Sequence, residues 1–357
     1  MPEPLKNIYT VEFVTRLAEN INLLNKTFNK DEFIHHVFDQ HWSNLELKQR
    51  MNQITVKLHR HLNCDYLTAL PVLQDCCKEF DGFESMLFPH FVELYGQHEY
   101  EASLNALEIM TQFSSSEFAI RPFIVKHPKR TMSQMLKWSK HKNFHVRRLA
   151  SEGCRPRLPW AMALTKFKND PDLILPILNN LKNDESEYVR RSVANNLNDI
   201  SKDHPDIVLS IARSWQNQTI ETDWIIKHAC RSLLKHGNTD VLALFGFTPP
   251  LHIELCDFCC DDKVKSGSRV HFSARLKSTQ ALGLCRIEYR LYFQKANGTV
   301  SPKVFKISEL MIPAHHKEIS RAHSFKPITT RTYYKGLHQL EILVNGVAMD
   351  KKDFYII

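Results

Sequence analysis

The chain has 357 residues, 43% of them hydrophobic and 24% charged, with a formal net charge of +8. That length suits two or three domains with a sizeable core, and the balance is that of an ordinary globular protein. No uninterrupted apolar run approaches the roughly 20 residues that a membrane span needs. The start, MPEPLKNIYTVEF, carries early acids and no apolar h-region, so neither a span nor a signal peptide is expected.

Glycine is scarce, at ten residues, and neither GxGxxG nor the P-loop GxxxxGK pattern occurs, which disfavours a nucleotide cofactor. Nine cysteines, an odd number without a secretory signal, point to reduced thiols in the bacterial cytosol.

The charge is unevenly spread. Residues 1–117 carry a net −8, 118–169 a net +12, 170–248 a net −3 and 249–357 a net +7. The second block holds thirteen Lys/Arg and one acid, Glu152. Two basic blocks behind an acidic N-terminal third read as a footprint for nucleic acid, with a solvated basic face as the plainer alternative.

From the N-terminus to about residue 245, apolar residues recur at three- and four-residue spacing. Phe13, Leu17, Ile21 and Leu24 form one such series, and Leu104, Leu107 and Met110 another. Prolines and polar clusters interrupt these helices every ten to twenty residues. A weak internal repeat is visible. NFHVRRLASEGC from Asn143 aligns with EYVRRSVANNLN from Glu187 and DWIIKHACRSLL from Asp223, with EFAIRPFIV from Glu117 as an earlier copy. Aligned at Ile120, Val146, Val189 and Ile226, the copies are spaced by 26, 43 and 37 residues, the last two close to a HEAT-type helix pair that stacks into a solenoid.

Past Pro249 and Pro250 the pattern changes to alternation. Val270, Phe272, Ala274 and Leu276 share one face. Cys285, Ile287, Tyr289, Leu291 and Phe293 form a second run, and His338, Leu340, Ile342 and Val344 a third. Turns are marked at 265–268, 296–298 and Asn345-Gly346. About seven short strands suit an Ig-like β-sandwich, without the Cys…Trp…Cys signature of true immunoglobulin domains. The expected organisation is a HEAT-like α-helical solenoid over 1–247, followed by an Ig-like β-sandwich over 248–357.

Chemistry centres on HVRRLASEGCRPRLPW, His145 to Trp160. Arg148 and Glu152, four apart, share a helix face, and Gly153 offers a C-cap. Pro156 and Pro159 then force a stiff loop carrying Arg155, Arg157 and Trp160. Guanidiniums suit phosphate oxygens, and an indole can cover a sugar or a base. The same residues also fit an Arg148–Glu152 surface pair beside a core Trp160. In the next repeat Arg191, Asn195 and Asp199 follow at four-residue spacing, and Asp199 alone would pass for a helix-end acid. Glu117 precedes the helix near Phe118, where an acid favours a helix N-terminus.

The segments RRLASEGCRPRLPW and YVRRSVANNLNDISKDHPD resemble the hallmark segments of the AlkC-type DNA alkylation-repair glycosylases. The resemblance runs over nearly the whole chain, including the C-terminal Ig-like domain that distinguishes AlkC from its relative AlkD. It implies a monomeric solenoid enzyme without cofactor or metal. Its substrate would be alkylated double-stranded DNA, with cationic bases such as 3-methyladenine and 3-methylcytosine cut from the sugar without base flipping. By the same resemblance Glu152 and Asp199 are active-site acids, with Glu117 a third. Arg148 and Trp160 match its DNA-contacting and site-lining residues; apart from the resemblance, Arg155, Arg157 and Arg191 are further candidates for DNA contact. The competing class is a non-catalytic HEAT-type scaffold that binds DNA or protein.

Other signals carry less. CxxC at Cys256–Cys259 lacks a second pair at zinc spacing. His35–His36, His59 and His61 with Cys64, and His315–His316 read as solvated or structural. No deaminase HxE…PCxxC and no GxSxG elbow is present.

Overall fold

The computed structural model describes residues 3–328 and 331–357. The chain divides into two compact units. One runs to His204 and includes Trp215–Ala229; the other comprises Pro205–Ser214 and Cys230–Ile357.

The first unit is helical, and its helices start where the sequence supplies caps. The Thr10 hydroxyl accepts from the Phe13 N–H and opens Val11–Leu24, which buries Val14, Leu17, Ala18 and Ile21. Asn29 caps Lys30–Val37 in the same way, and Asn143 caps Phe144–Glu152. Leu47–Leu62 ends at Asn63, which takes the left-handed conformation (φ 47°) that asparagine tolerates.

The internal repeat becomes a stack. Phe144–Glu152 packs on Glu187–Ile200, which packs on Ile220–Ala229. Polar side chains tie the layers. The Asn196 amide donates to the Ser151 carbonyl at 2.8 Å, and the Asn198 amide to the Ala229 carbonyl at 2.7 Å. Such bonds between buried groups fix the helices in register as well as in contact.

Gly153 ends the Phe144–Glu152 helix with right-handed backbone (φ −62°). It is the C-cap that the sequence suggests, and its N–H donates to the Leu149 carbonyl. A Cβ there would lie 2.6 Å from Ile120 Cγ2 and 3.0 Å from the Leu149 carbonyl oxygen. Glycine is needed because the neighbouring segment comes so close.

Among the described residues of the second unit, eight strands follow the helices Arg231–Lys235 and Thr239–Leu244. They are β1 (Glu254–Cys260), β2 (Lys263–Val264), β3 (Arg269–Lys277), β4 (Gly283–Gln294), β5 (Val300–Ile312), β6 (His316–Ser324), β7 (Gly336–Val344) and β8 (Val347–Ile356). One sheet has the order β1-β3-β6, the other β2-β8-β7-β4-β5. β3 and β6 run antiparallel in unbroken register from Arg269↔Ser324 to Lys277↔His316. The three alternating runs read from the sequence are buried, and their apolar residues line one shared core between the sheets. The extra strand over the expected seven is β2, two residues pairing parallel with β8, too short for alternation to reveal.

Asn345 and Gly346 have φ of 47° and 78°, as a two-residue hairpin between β7 and β8 demands. The turn also docks. Asn345 accepts from the Arg286 N–H at 2.7 Å and donates to the Thr248 carbonyl at 2.8 Å, while Gly346 sits against Gly237 and Leu242.

No helix among the described residues is long and apolar enough to cross a membrane, and the nine cysteines are free thiols. Gly153→Ala is expected to destabilise the protein by about 1–3 kcal/mol, the usual cost of overpacking. Urea denaturation checks it, and an unchanged midpoint would show that Ile120 yields freely.

Candidate active site

Three acids from three separate segments converge in the first unit. Glu152 ends its helix and is buried; Asp199, in the last turn of Glu187–Ile200, is buried too; Glu117 is half-buried in the turn before Arg121–Lys126. Two guanidiniums link them. Arg148 donates to Glu117 Oε2 at 2.7 Å and lies 3.6 Å from Glu152 Oε1. Arg155 donates from Nη1 to Glu152 Oε1 at 2.7 Å and from Nε to Asp199 Oδ2 at 3.0 Å. The order is Glu117–Arg148–Glu152–Arg155–Asp199, and Lys202 closes the far end on Asp199 Oδ1 at 3.0 Å.

Side chains of other kinds complete it. The Ser192 hydroxyl donates to Glu152 Oε2 at 2.6 Å, and Ser115 donates to Glu117 Oε2 at 2.7 Å. The Arg148 guanidinium lies over the Tyr188 ring, 4.3 Å from its centroid. Burial by itself would lower the Arg148 and Arg155 pKa values; the carboxylates override it and hold both above the ordinary guanidinium value. Both arginines are therefore permanent cations. Burial and Arg148 push the His145 pKa down, so that ring is neutral at pH 7.

A cavity of about 340 Å³ opens beside one end of the ladder. Glu117 and Arg148 line it with Phe83, Phe113, His145 and Tyr188. Glu117 is the acid of the three that borders this space.

The structure thus brings together Glu117, Glu152, Asp199, Arg148 and Arg155. Arg157 stands apart and pairs with Asp203, at distances of 2.6, 3.0 and 3.3 Å. Trp160 is not a core residue. It is 61% exposed, with φ of 64°, a rare conformation for a bulky side chain. Its carbonyl accepts from Lys48 Nζ at 2.9 Å, and its ring meets Phe83 edge-on at 6.0 Å.

Arg191 lies outside the ladder, exposed and paired with Glu187 one turn back. The reason is helix pitch. Each four-residue step drifts about 40°, so Arg191 and Asp199 differ by about 80° on the helix wheel. Seven-residue spacing drifts only about 20°, and Ser192 shares the buried face of Asp199. That spacing was the available signal for Ser192. Asn195 is held on another bearing, with His228 Nε2 3.2 Å from its side-chain oxygen.

The basic block also changes character in three dimensions. All six of its arginines are committed to partners within the protein. Arg130 meets Glu101, Arg147 meets Asp184 and Glu185, and Arg148, Arg155 and Arg157 meet the acids above. Arg121, fully buried, donates to the carbonyls of Gly153, Arg155 and Met162 and so holds the loop beyond Glu152. Burial brings its pKa down to about 10. Among the described residues no ion pair engages the block's seven lysines, of which Lys126, Lys129, Lys137, Lys140, Lys142 and Lys166 are exposed.

Comparison with known proteins fits this geometry. A family described as DNA alkylation repair enzyme matches residues 108–233, which include all three acids. The C-terminal Ig-like domain of the uncharacterised protein YhaZ matches 257–357. The chain is 45% identical over 354 residues to the uncharacterized protein YhaZ of Bacillus subtilis (strain 168), covering 99% of both. It superposes with a TM-score of 0.94 on Pseudomonas fluorescens alkylpurine DNA glycosylase AlkC, solved bound to DNA containing an abasic site analog. That match has 36% identity and covers 99% of this chain and 100% of the other.

The chain belongs to the AlkC-type family of DNA alkylation repair enzymes. The family's helical repeat and Ig-like domain are both present here, and the converging acids lie within the matched repair segment.

Because Arg155 bridges two buried carboxylates, Arg155→Ala should destabilise this family member by about 3–5 kcal/mol, the usual cost of stranding a buried charge. Arg155→Lys should recover only part, since an ammonium cannot reproduce the guanidinium fork. Chemical denaturation of both variants measures this, and a loss below about 1 kcal/mol for the alanine variant would show that water enters and solvates the acids.

Proposed function

We propose that the protein is a DNA glycosylase that hydrolyses the N-glycosidic bond of cationic N-alkylated bases, 3-methyladenine and 3-methylcytosine among them, in duplex DNA. The observation that carries the reading is the ladder. Three carboxylates are held by two fixed guanidiniums beside an open cavity, and the basic block nearby adds exposed lysines that no ion pair engages among the described residues. A phosphate-binding surface alone gains nothing from three acids at its centre.

Alkylation at N3 makes the base cationic and a good leaving group, so departure needs little protonation. The sugar left behind resembles an oxocarbenium ion. Carboxylates near the anomeric carbon stabilise that cation, and one of them orients or deprotonates the attacking water. Glu117 borders the cavity, and its Oε2 already accepts from Arg148 and Ser115, which leaves Oε1 for water or sugar. Glu152 and Asp199 supply negative potential behind it. The chemistry uses water and the protein's own side chains, without cofactor or metal.

The arginines position the acids, and the exposed lysines meet the phosphates. Trp160, exposed at the edge of the site, presses on the sugar–base face of DNA whose target base stays unflipped. Arg157 and Arg191 reach phosphates only by exchanging their present carboxylate partners. The Ig-like domain, residues 248–357 with a net charge of +7 on 249–357, grips the same duplex from its exposed basic side chains. The solenoid, residues 1–247, carries the chemistry. One protein copy acts on one lesion, in the bacterial cytosol where the nucleoid lies.

Glu152→Gln, Asp199→Asn and Glu117→Gln should each lower base release from methylated duplex by about 10²–10⁴-fold while DNA affinity changes little. Chromatography of released bases and a fluorescence binding assay read the two effects. Equal loss of release and binding would indicate a folding or binding role, and no release of any cationic base by the wild type would leave a non-catalytic scaffold. Replacing Lys126, Lys129 and Lys142 by Gln should weaken binding uniformly across sequences and flatten the log–log salt slope by about 0.9 for each phosphate no longer neutralised. An unchanged slope would remove those lysines from the interface.

A further inference from the structure

A second cluster of ligand-bearing side chains lies elsewhere in the first unit and shares no residue with the acid ladder. Glu32 and His36, four apart on the Lys30–Val37 helix, project toward His61, next to last in Leu47–Leu62. His36 Nδ1 and His61 Nε2 stand 2.9 Å apart. One ligand atom from each of the three residues lies within 4.8 Å of the others, and no other trio of His, Cys, Asp or Glu among the described residues meets that distance.

We infer that Glu32, His36 and His61 bind a divalent transition cation, zinc foremost, that ties these two helices together. Zinc takes imidazole nitrogen at about 2.0–2.1 Å, which places two nitrogens on one tetrahedral ion about 3.3–3.4 Å apart. The imidazoles need to part by only a few tenths of an ångström. Glu32 is exposed, so its carboxylate can swing to close the third position, and Asn29 already holds its Oε2 at 3.3 Å. The rings of Phe28 and Phe33 pack edge-on against His61 and fix its plane. Two imidazoles and a carboxylate suit zinc, cobalt and copper and disfavour magnesium, which prefers oxygen ligands and retains its waters. Lys57 and Arg60 oppose a cation near His61, but Lys57 is drawn toward Asp39, 4.0 Å away.

The test uses the full-length protein stripped with a chelator and titrated with Co²⁺, followed by displacement with Zn²⁺. The expected result is one equivalent bound, with a visible d–d spectrum that lacks a thiolate charge-transfer band, and no competition from Mg²⁺. Loss of a mere supporting hydrogen bond at a metal site costs about 10–100-fold in affinity, so Glu32→Gln and His36→Asn should each exceed about 100-fold. Circular dichroism confirms that the variants are folded, and Glu32, being exposed, keeps the test sound if a histidine variant is not. Absence of saturable binding, equal binding by wild type and both variants, or a sulfur charge-transfer band would overturn the site. The pair would then be an imidazole–imidazole hydrogen bond, or the cysteines the true ligands.

Discussion

Two guanidiniums, Arg155 buried and Arg148 half-buried, hold three acids from distant parts of the chain. Without Arg148 and Arg155, Glu117, Glu152 and Asp199 would be like charges gathered where each repels the others and water is scarce. Bridged in alternation, they form a compact array in which every carboxylate has a cation beside it. Much of the surrounding structure serves this array. Gly153 lets the Phe144–Glu152 helix end against Ile120, and Arg121 ties the following loop to itself through three carbonyls. That loop delivers Arg155 to the second and third acids.

Arginine and lysine do different work in the basic block. The guanidinium's planar fork suits fixed carboxylates, and each arginine is spent on a partner within the protein. Lysine's hydrated, flexible ammonium suits a partner whose phosphates arrive in many registers. The block's net charge thus resolves into arginines paired within the protein and lysines that no ion pair engages among the described residues.

The β-unit was well legible because alternation with period two is a local signal. The runs from Val270, from Cys285 and from His338 all lie in the shared core, and the Asn345-Gly346 turn falls between β7 and β8. The helical repeat was legible more faintly, through the VRR alignment of two helices that prove to be stacked neighbours. The site was read from the motif resemblance, and its five central residues do meet. Four-residue spacing misled only where its drift accumulates: it grouped Arg191 with Asp199 and passed over Ser192. Trp160 could be assigned to core or surface, since a lone indole is common in both.

The sequence by itself determined which segments are helix and strand, where the chain changes from one to the other, and which family it joins, because these follow from local periodicity and long motifs. Only the tertiary structure decided the partner of each charge. Glu152 is the lone acid in its stretch of sequence, yet Glu117, Asp184, Asp199 and Asp203 are brought in from outside that stretch to its arginines. Charge pairing acts over a few ångströms of space, and those distances are set by how helices pack, not by how residues are spaced along the chain.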